Sequence, residues 1–262
     1  MHPFDRDITF TPGRAGEYEG EISPAWLIND VANGGYLLAL FAQTLGGQTD
    51  KPSLPVLTAN YILRCTPGPA RITTETMIAS PKFDRFSASL FQEGTERVRV
   101  LATFREDSGE RGYVRHEAGE PVVADRKECV EIPEMPSYSF YRHARVLLDP
   151  TCAGWLQGKE LSPVSEQKGW FAFREKRPID AAAVFLAMDA FPPAIMASHG
   201  ALSWVPTLEL SVNVRRLPKT PWLKCCFTTR HMDCGILEED GQAWDEEGNL
   251  VALSRQVARF RV

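Results

Sequence analysis

Ala181-Ala182-Ala183-Val184-Phe185-Leu186-Ala187-Met188-Asp189-Ala190-Phe191 is an apolar run with one carboxylate set deep inside it. Its density of apolar side chains suits a helix buried against a sheet. An ionised carboxylate in such a place loses its hydration, which costs several kcal/mol unless donors or a positive field compensate. Chains most often accept that cost where chemistry is done in a pocket. Asp189 also reads as part of the polar stripe of a surface helix, or as a cap for the turn before Pro192-Pro193.

The helix is expected over 180–196, kinked or ended by Pro192-Pro193. Strand-like segments follow at 207–216, 222–231, 235–244 and 250–262. In the first of these, Leu208, Leu210, Val212 and Val214 alternate with Thr207, Glu209, Ser211, Asn213 and Arg215. That period places the first set on a buried face beneath the helix and the second set on the other face.

The same order occurs earlier in the chain. Asn33-Gly34-Gly35-Tyr36-Leu37-Leu38-Ala39-Leu40-Phe41-Ala42 reads as a buried helix with Asn33 as its N-cap. After Gly46-Gly47 come strand-like segments at 56–64, 70–80, 83–92 and 97–105. Tyr61-Ile62-Leu63-Arg64-Cys65-Thr66-Pro67 echoes Asn213-Val214-Arg215-Arg216-Leu217-Pro218, and the turns Glu93-Gly94 and Glu247-Gly248 echo each other. Residues 1–106 and 139–262 are therefore expected as two repeats. The charged, Pro-dotted stretch 107–138 between them reads as a linker. Each repeat alone would leave a sheet face poorly covered, whereas two joined edge to edge give one antiparallel sheet around two helices.

Composition narrows the classes of function. The chain has 262 residues, with 44% hydrophobic and 24% charged, as in soluble globular proteins. No apolar run approaches the roughly 20 residues of a membrane span, and the N-terminus lacks a basic-then-apolar leader, so a cytoplasmic protein is expected. A net charge of -5 makes nucleic acid a poor partner. Cys65, Cys129, Cys152, Cys225, Cys226 and Cys234 form no C-x-x-C pair and have no His at zinc-finger spacing, so no metal is expected. They read as reduced thiols used as small hydrophobes.

This order of elements resembles the double hot-dog fold, an α+β architecture of two tandem repeats whose antiparallel sheet wraps two long helices. The resemblance is to the thioesterase-like family that includes the bacterial type II acyl-CoA thioesterases. It is carried by Trp26 to Leu40, by Asp189-Ala190-Phe191-Pro192-Pro193, by Thr207-Leu208-Glu209-Leu210-Ser211-Val212 through Pro218, and by Trp244-Asp245-Glu246-Glu247-Gly248 through Gln256. It implies an acyl-CoA thioesterase in which Asp189, Thr207 and Gln256 position and activate a water. It also implies that the backbone N–H of Gly34 or Gly35 binds the thioester oxygen. Coenzyme A enters as part of a small-molecule substrate, no separate cofactor is implied, and a homodimer or larger homo-oligomer is expected.

The chemistry is self-sufficient. Desolvation raises the pKa of a buried Asp toward the range of a general base. Thr and Gln each offer donor and acceptor groups for a water. Glycines at a helix start let backbone N–H groups approach a developing oxyanion. Each residue also has a plain structural reading: Thr207 as a strand starter after Pro206, Gln256 as part of a solvated face with Arg255, Arg259 and Arg261, and Gly34-Gly35 as a close-packing device. The main alternative is a non-catalytic acyl- or acyl-CoA-binding hot-dog protein. A His-dependent hydratase is disfavoured because none of His2, His116, His143, His199 and His231 sits in an acidic helix start. A Cys-based acyltransferase through Cys65 or Cys225 lacks an evident base.

Overall fold

A computed structural model describes residues 1–105, 114–201 and 204–261. The first half contains α1 (Pro3–Asp7), β1 (Thr11–Pro12), β2 (Glu17–Ile22), β3 (Leu27–Ile28), β4 (Val31–Ala32) and α2 (Gly34–Gly46). It continues with β5 (Val56–Tyr61), β6 (Gly68–Ala79), β7 (Asp84–Gln92) and β8 (Thr95–Phe104). The second half contains β9 (Val130–Glu131), a 3-10 turn (Ser139–Arg142), β10 (Ala144–Leu148), α3 (Gly154–Gln157) and β11 (Glu166–Phe173). Then come α4 (Ala181–Ala187), α5 (Ile195–His199), β12 (Thr207–Val214), β13 (Leu223–Asp233), β14 (Ile236–Asp245) and β15 (Leu250–Arg259).

Thirteen strands form one sheet in the order β1-β2-β6-β7-β8-β5-β12-β15-β14-β13-β11-β10-β9. The order reads alike outward from its centre: β5, β8, β7, β6 and β2 on one side answer β12, β15, β14, β13 and β11 on the other. The two halves meet where β5 and β12 pair antiparallel, with Ala59 opposite Leu210. A hydrogen bond between the Thr58 and Ser211 hydroxyls, 2.9 Å long, adds to that seam. The repeated order read from the sequence thus becomes a continuous antiparallel sheet.

The helices lie inside it. In α2, Leu38, Ala39, Leu40 and Phe41 are wholly buried, and in α4 so are Ala183, Val184, Phe185 and Leu186. A helix apolar on all sides belongs in a core. They meet Leu57, Ala59, Val100, Leu210, Val212, Val214 and Ala252 on the inner sheet face within one hydrophobic cluster. No helix among the described residues is long and apolar enough to cross a membrane.

Three expectations change in detail. The helix expected over 180–196 is two short helices, because Met188 caps α4 and Pro192-Pro193 cannot continue it. Asp189 consequently lies in the turn after α4 rather than within a helix. Second, residues 107–113 of the expected linker lie outside the described residues, while its later part joins the fold. There β9 pairs with β10, and Ile132 is buried. Third, the strict alternation expected from Thr207 onward is broken by a bulge between Thr207 and Glu209. Leu208 is the extra residue and is 41% exposed, although its parity with Leu210 placed it inside.

Candidate active site

Asn33 builds the first part of the site. Its Oδ1 accepts the Tyr36 N–H at 2.9 Å and caps α2. The other end of the same amide then reaches across the repeat boundary. Nδ2 donates to the Asp189 backbone carbonyl at 2.7 Å and to Asp189 Oδ2 at 2.9 Å. The Gly35 N–H donates to the same Oδ2 at 3.0 Å. Asp189 Oδ1 receives no hydrogen bond among the described residues.

The glycines permit this approach. A Cβ on Gly35 would lie 2.5 Å from the Phe185 carbonyl oxygen and 2.9 Å from Asp189 Cβ. On Gly34 it would lie 2.9 Å from the Tyr61 hydroxyl and 3.0 Å from Asp189 Oδ2. At Gly35 the backbone oxygen of Phe185 leaves no room for a side chain, and at Gly34 a side chain would displace the Tyr61 hydroxyl and Asp189 carboxylate, so the start of α2 meets the end of α4 through glycines. Tyr61 closes this corner by donating its hydroxyl to the Gly34 carbonyl at 2.9 Å.

Burial pushes the Asp189 carboxyl up to about 6, and hydrogen bonds from Gly35, Gly34 and Asn33 restrain the rise. Desolvation therefore dominates, as the apolar run implied. The helix-start amides stabilise the ionised form without abolishing its basicity.

Thr207 and Gln256 form the second part. The bulge at Leu208 sets Thr207 opposite Ala258, which is buried, and so turns Thr207 to the inner face. Gln256 lies opposite Leu210 on one side and Glu239 on the other, both buried. It too faces inward, while neighbouring Arg255 faces outward and pairs with Asp240 at 2.8 Å. The solvated-face reading of Gln256 therefore does not describe the structure. Gln256 Nε2 donates to Thr207 Oγ1. That leaves the Thr207 proton and Gln256 Oε1 for another partner, since neither makes a further hydrogen bond among the described residues.

Asp189, Gly34, Thr207 and Gln256 line one cavity of about 570 Å³. Its remaining wall is mostly apolar and aromatic, including Tyr138, Tyr141, Trp155, Phe191, Met196 and Trp204. Gly35 stands behind the wall and acts through Asp189. Cys65 also lines the cavity, but burial pushes its thiol up to about 12, which leaves almost no thiolate at neutral pH. Burial raises Cys225 too.

Three residues of this site were not singled out by sequence reasoning. The donor role of Asn33 was hidden behind its cap, and Tyr61 read only as a repeat match. Glu239 sits in the acidic run Glu238-Glu239-Asp240, which resembles a solvated face. Its period-two relation to Leu237, Gly241 and Ala243 was the available signal that it points inward.

Comparison with known proteins places this geometry in context. Residues 22–105 match the family model for the acyl-CoA thioesterase N-terminal domain, and residues 126–260 match that for the acyl-CoA thioesterase C-terminal domain. An uncharacterised protein of Mycobacterium tuberculosis is 25% identical over 98% of this chain and 95% of its own length. Among solved structures, a candidate thioesterase II of Thermobifida fusca superposes with a TM-score of 0.91 at 24% identity, over 99% of both chains. A protein of unknown function with a hot-dog fold from Alicyclobacillus acidocaldarius gives 0.88 at 17% identity, covering 100% of this chain and 99% of that one. An acyl-CoA thioesterase II of Mycobacterium marinum gives 0.75 at 15% identity over 98% of both. At these identities the structural likeness shows the fold, which is the double hot-dog.

Proposed function

The chain belongs to the acyl-CoA thioesterase family, and we propose that it hydrolyses an acyl-CoA to the free acid and coenzyme A with water as the nucleophile. The observation that carries this reading is the meeting of Asp189 with the Thr207–Gln256 pair on one cavity. A water there would donate one proton to Asp189 Oδ1 and the other to Gln256 Oε1, and would accept from the Thr207 hydroxyl. Those contacts leave a lone pair directed at a thioester carbon.

Asp189 takes the proton as the water oxygen bonds to the carbonyl carbon. The tetrahedral oxyanion then collapses, the C–S bond breaks with its electrons on sulfur, and the proton on Asp189 goes to the departing thiolate. A carboxyl at about 6 is ionised near neutrality yet still basic enough for this exchange. The Gly34 and Gly35 amides serve first by holding Asp189. A thioester oxygen would meet the Gly34 amide, which lines the cavity, while Gly35 keeps its hold on Asp189. The apolar and aromatic wall would hold the acyl group.

Thiol release from short, medium and long acyl-CoAs, comparing the wild type with Asp189→Asn, tests the reading. Turnover that falls by roughly 10³-fold or more in a folded variant supports it. No turnover on any acyl-CoA removes it in favour of an acyl-binding protein. Undiminished turnover in the variant leaves a thioesterase with a different base.

A further inference from the structure

The inner face of β13, β14 and β15 carries a polar row in an otherwise apolar wall. Thr229 stands directly opposite Glu239, and Glu239 directly opposite Gln256. Residues so paired in an antiparallel ladder project from the same face. Glu239 is 7% exposed and lines the cavity that holds Asp189. Its Oε2 accepts the Ala194 N–H at 2.6 Å. Ala194 ends the turn that Asp189 begins, with Ala190, Phe191, Pro192 and Pro193 between them. No cation pairs with Glu239 among the described residues.

A buried carboxyl with no counter-charge is a costly way to fill space. A leucine would pack there, and a glutamine would still accept the Ala194 N–H. What the acceptor oxygen adds over a leucine is a polar link between β14 and the turn that carries Asp189, two elements that must stay in register for chemistry. We propose that Glu239 is a positioning residue of this site, fixing the turn that carries Asp189 against β14, the strand paired with the one that carries Gln256.

The kinetic part of this inference rests on the thioesterase reading, whereas the link between the two carboxyls does not. Burial, and then the charge of Asp189, push Glu239 up to about 7, despite the opposing Ala194 hydrogen bond. Asp189 is thus the first of the two to ionise, and its charge opposes ionisation of Glu239. Between about 6 and about 7 Asp189 carries the charge and Glu239 still keeps its proton. The other titratable groups on the strands around Glu239 are Lys224, Cys225, Cys226, Arg230, His231 and Asp233 on β13, Glu238, Asp240 and Asp245 on β14, and Arg255 and Arg259 on β15, with His199 on α5 and Tyr61 on β5 nearby. Asp240, next to it on β14, is held by Arg255.

Two variants separate position from packing. Glu239→Gln keeps an acceptor for the Ala194 N–H without a titrating proton, and Glu239→Ala removes both. The expected result for Glu239→Ala is a loss in kcat on the order of 10- to 100-fold with little change in KM. Glu239→Gln should stay within a few-fold of the wild type at neutral pH and lose the wild type's decline in rate above about pH 7. An unchanged kcat in Glu239→Ala, equal damage from both variants, or identical pH profiles for Glu239→Gln and wild type would each overturn the proposal. A second readout needs no turnover: the 13C titration of the Glu239 carboxyl in wild type and in Asp189→Asn. Removing the Asp189 charge should lower its midpoint by on the order of one pH unit, and no shift would overturn the coupling. Absence of turnover in the wild type with that shift present would sink the thioesterase reading and leave the link between the carboxyls standing.

Discussion

Asp189 Oδ2 accepts the Gly35 N–H at 3.0 Å across 154 positions of chain. One repeat supplies the amide at a helix start, and the other supplies the carboxylate after a helix end. Neither half holds a complete site, which explains why only the second helix region carries an acid and only the first carries the glycine pair.

Gly35→Ala should disrupt this meeting. Its methyl group would press on the Phe185 carbonyl and on Asp189 Cβ, neither of which is the end of a flexible chain. Overpacking of this kind costs about 1–3 kcal/mol. Chemical denaturation should show that loss, and kcat should fall more than stability alone accounts for, because Asp189 loses its position.

Asp189→Asn should become the more stable protein at alkaline pH. Asp189 titrates near 6 in the folded chain against an ordinary value of 3.8. Between those values the folded protein keeps a proton that the unfolded chain releases. That contribution is therefore present at low pH, declines as pH rises toward 6, and stays lost above it. The shift corresponds to at most about 3 kcal/mol. Denaturation at about pH 4 and pH 8 should show a smaller decline in the variant than in the wild type. An equal decline would mean that the carboxylate is not desolvated.

Asn33→Asp separates capping from catalysis. The new carboxylate still accepts the Tyr36 N–H, so the α2 cap survives. It cannot donate to Asp189 and adds a like charge beside it, which raises the Asp189 pKa further. The acidic limb of the rate profile should move above about 6, and the melting temperature should fall even though the cap survives, because the buried carboxylate faces the Asp189 carbonyl and carboxylate without a donor.

Thr207→Val keeps the β-branched shape and removes the hydroxyl. Gln256 Nε2 loses its acceptor, for about 1 kcal/mol of stability. The rate should fall roughly 10- to 100-fold as the water loses a donor. Thr207→Ser should restore most of the activity, and failure to do so would assign Thr207 to strand structure alone.

The architecture was legible because burial has a local period. The apolar runs at α2 and α4 and the alternation of Leu210, Val212 and Val214 state which faces are hidden, and their order states the repeat. Asp189 stood out for the same reason, as a charge where the pattern demanded an apolar residue. Sequence alone therefore located α2, the start of the second core helix, eight of the strands, their twofold order and the one carboxylate out of place, but not the break that puts Asp189 in a turn. Tertiary structure decided the rest. The bulge that turns Thr207 inward arises from how β12 pairs with β15, and no residue at 207–209 announces it. The three hydrogen bonds to Asp189 come from two residues, Asn33 and Gly35, 156 and 154 positions away, and Glu239 faces the same cavity from a third element. Periodicity reports whether a side chain is buried, but its partner depends on how distant segments pack, and that is a property of the whole chain.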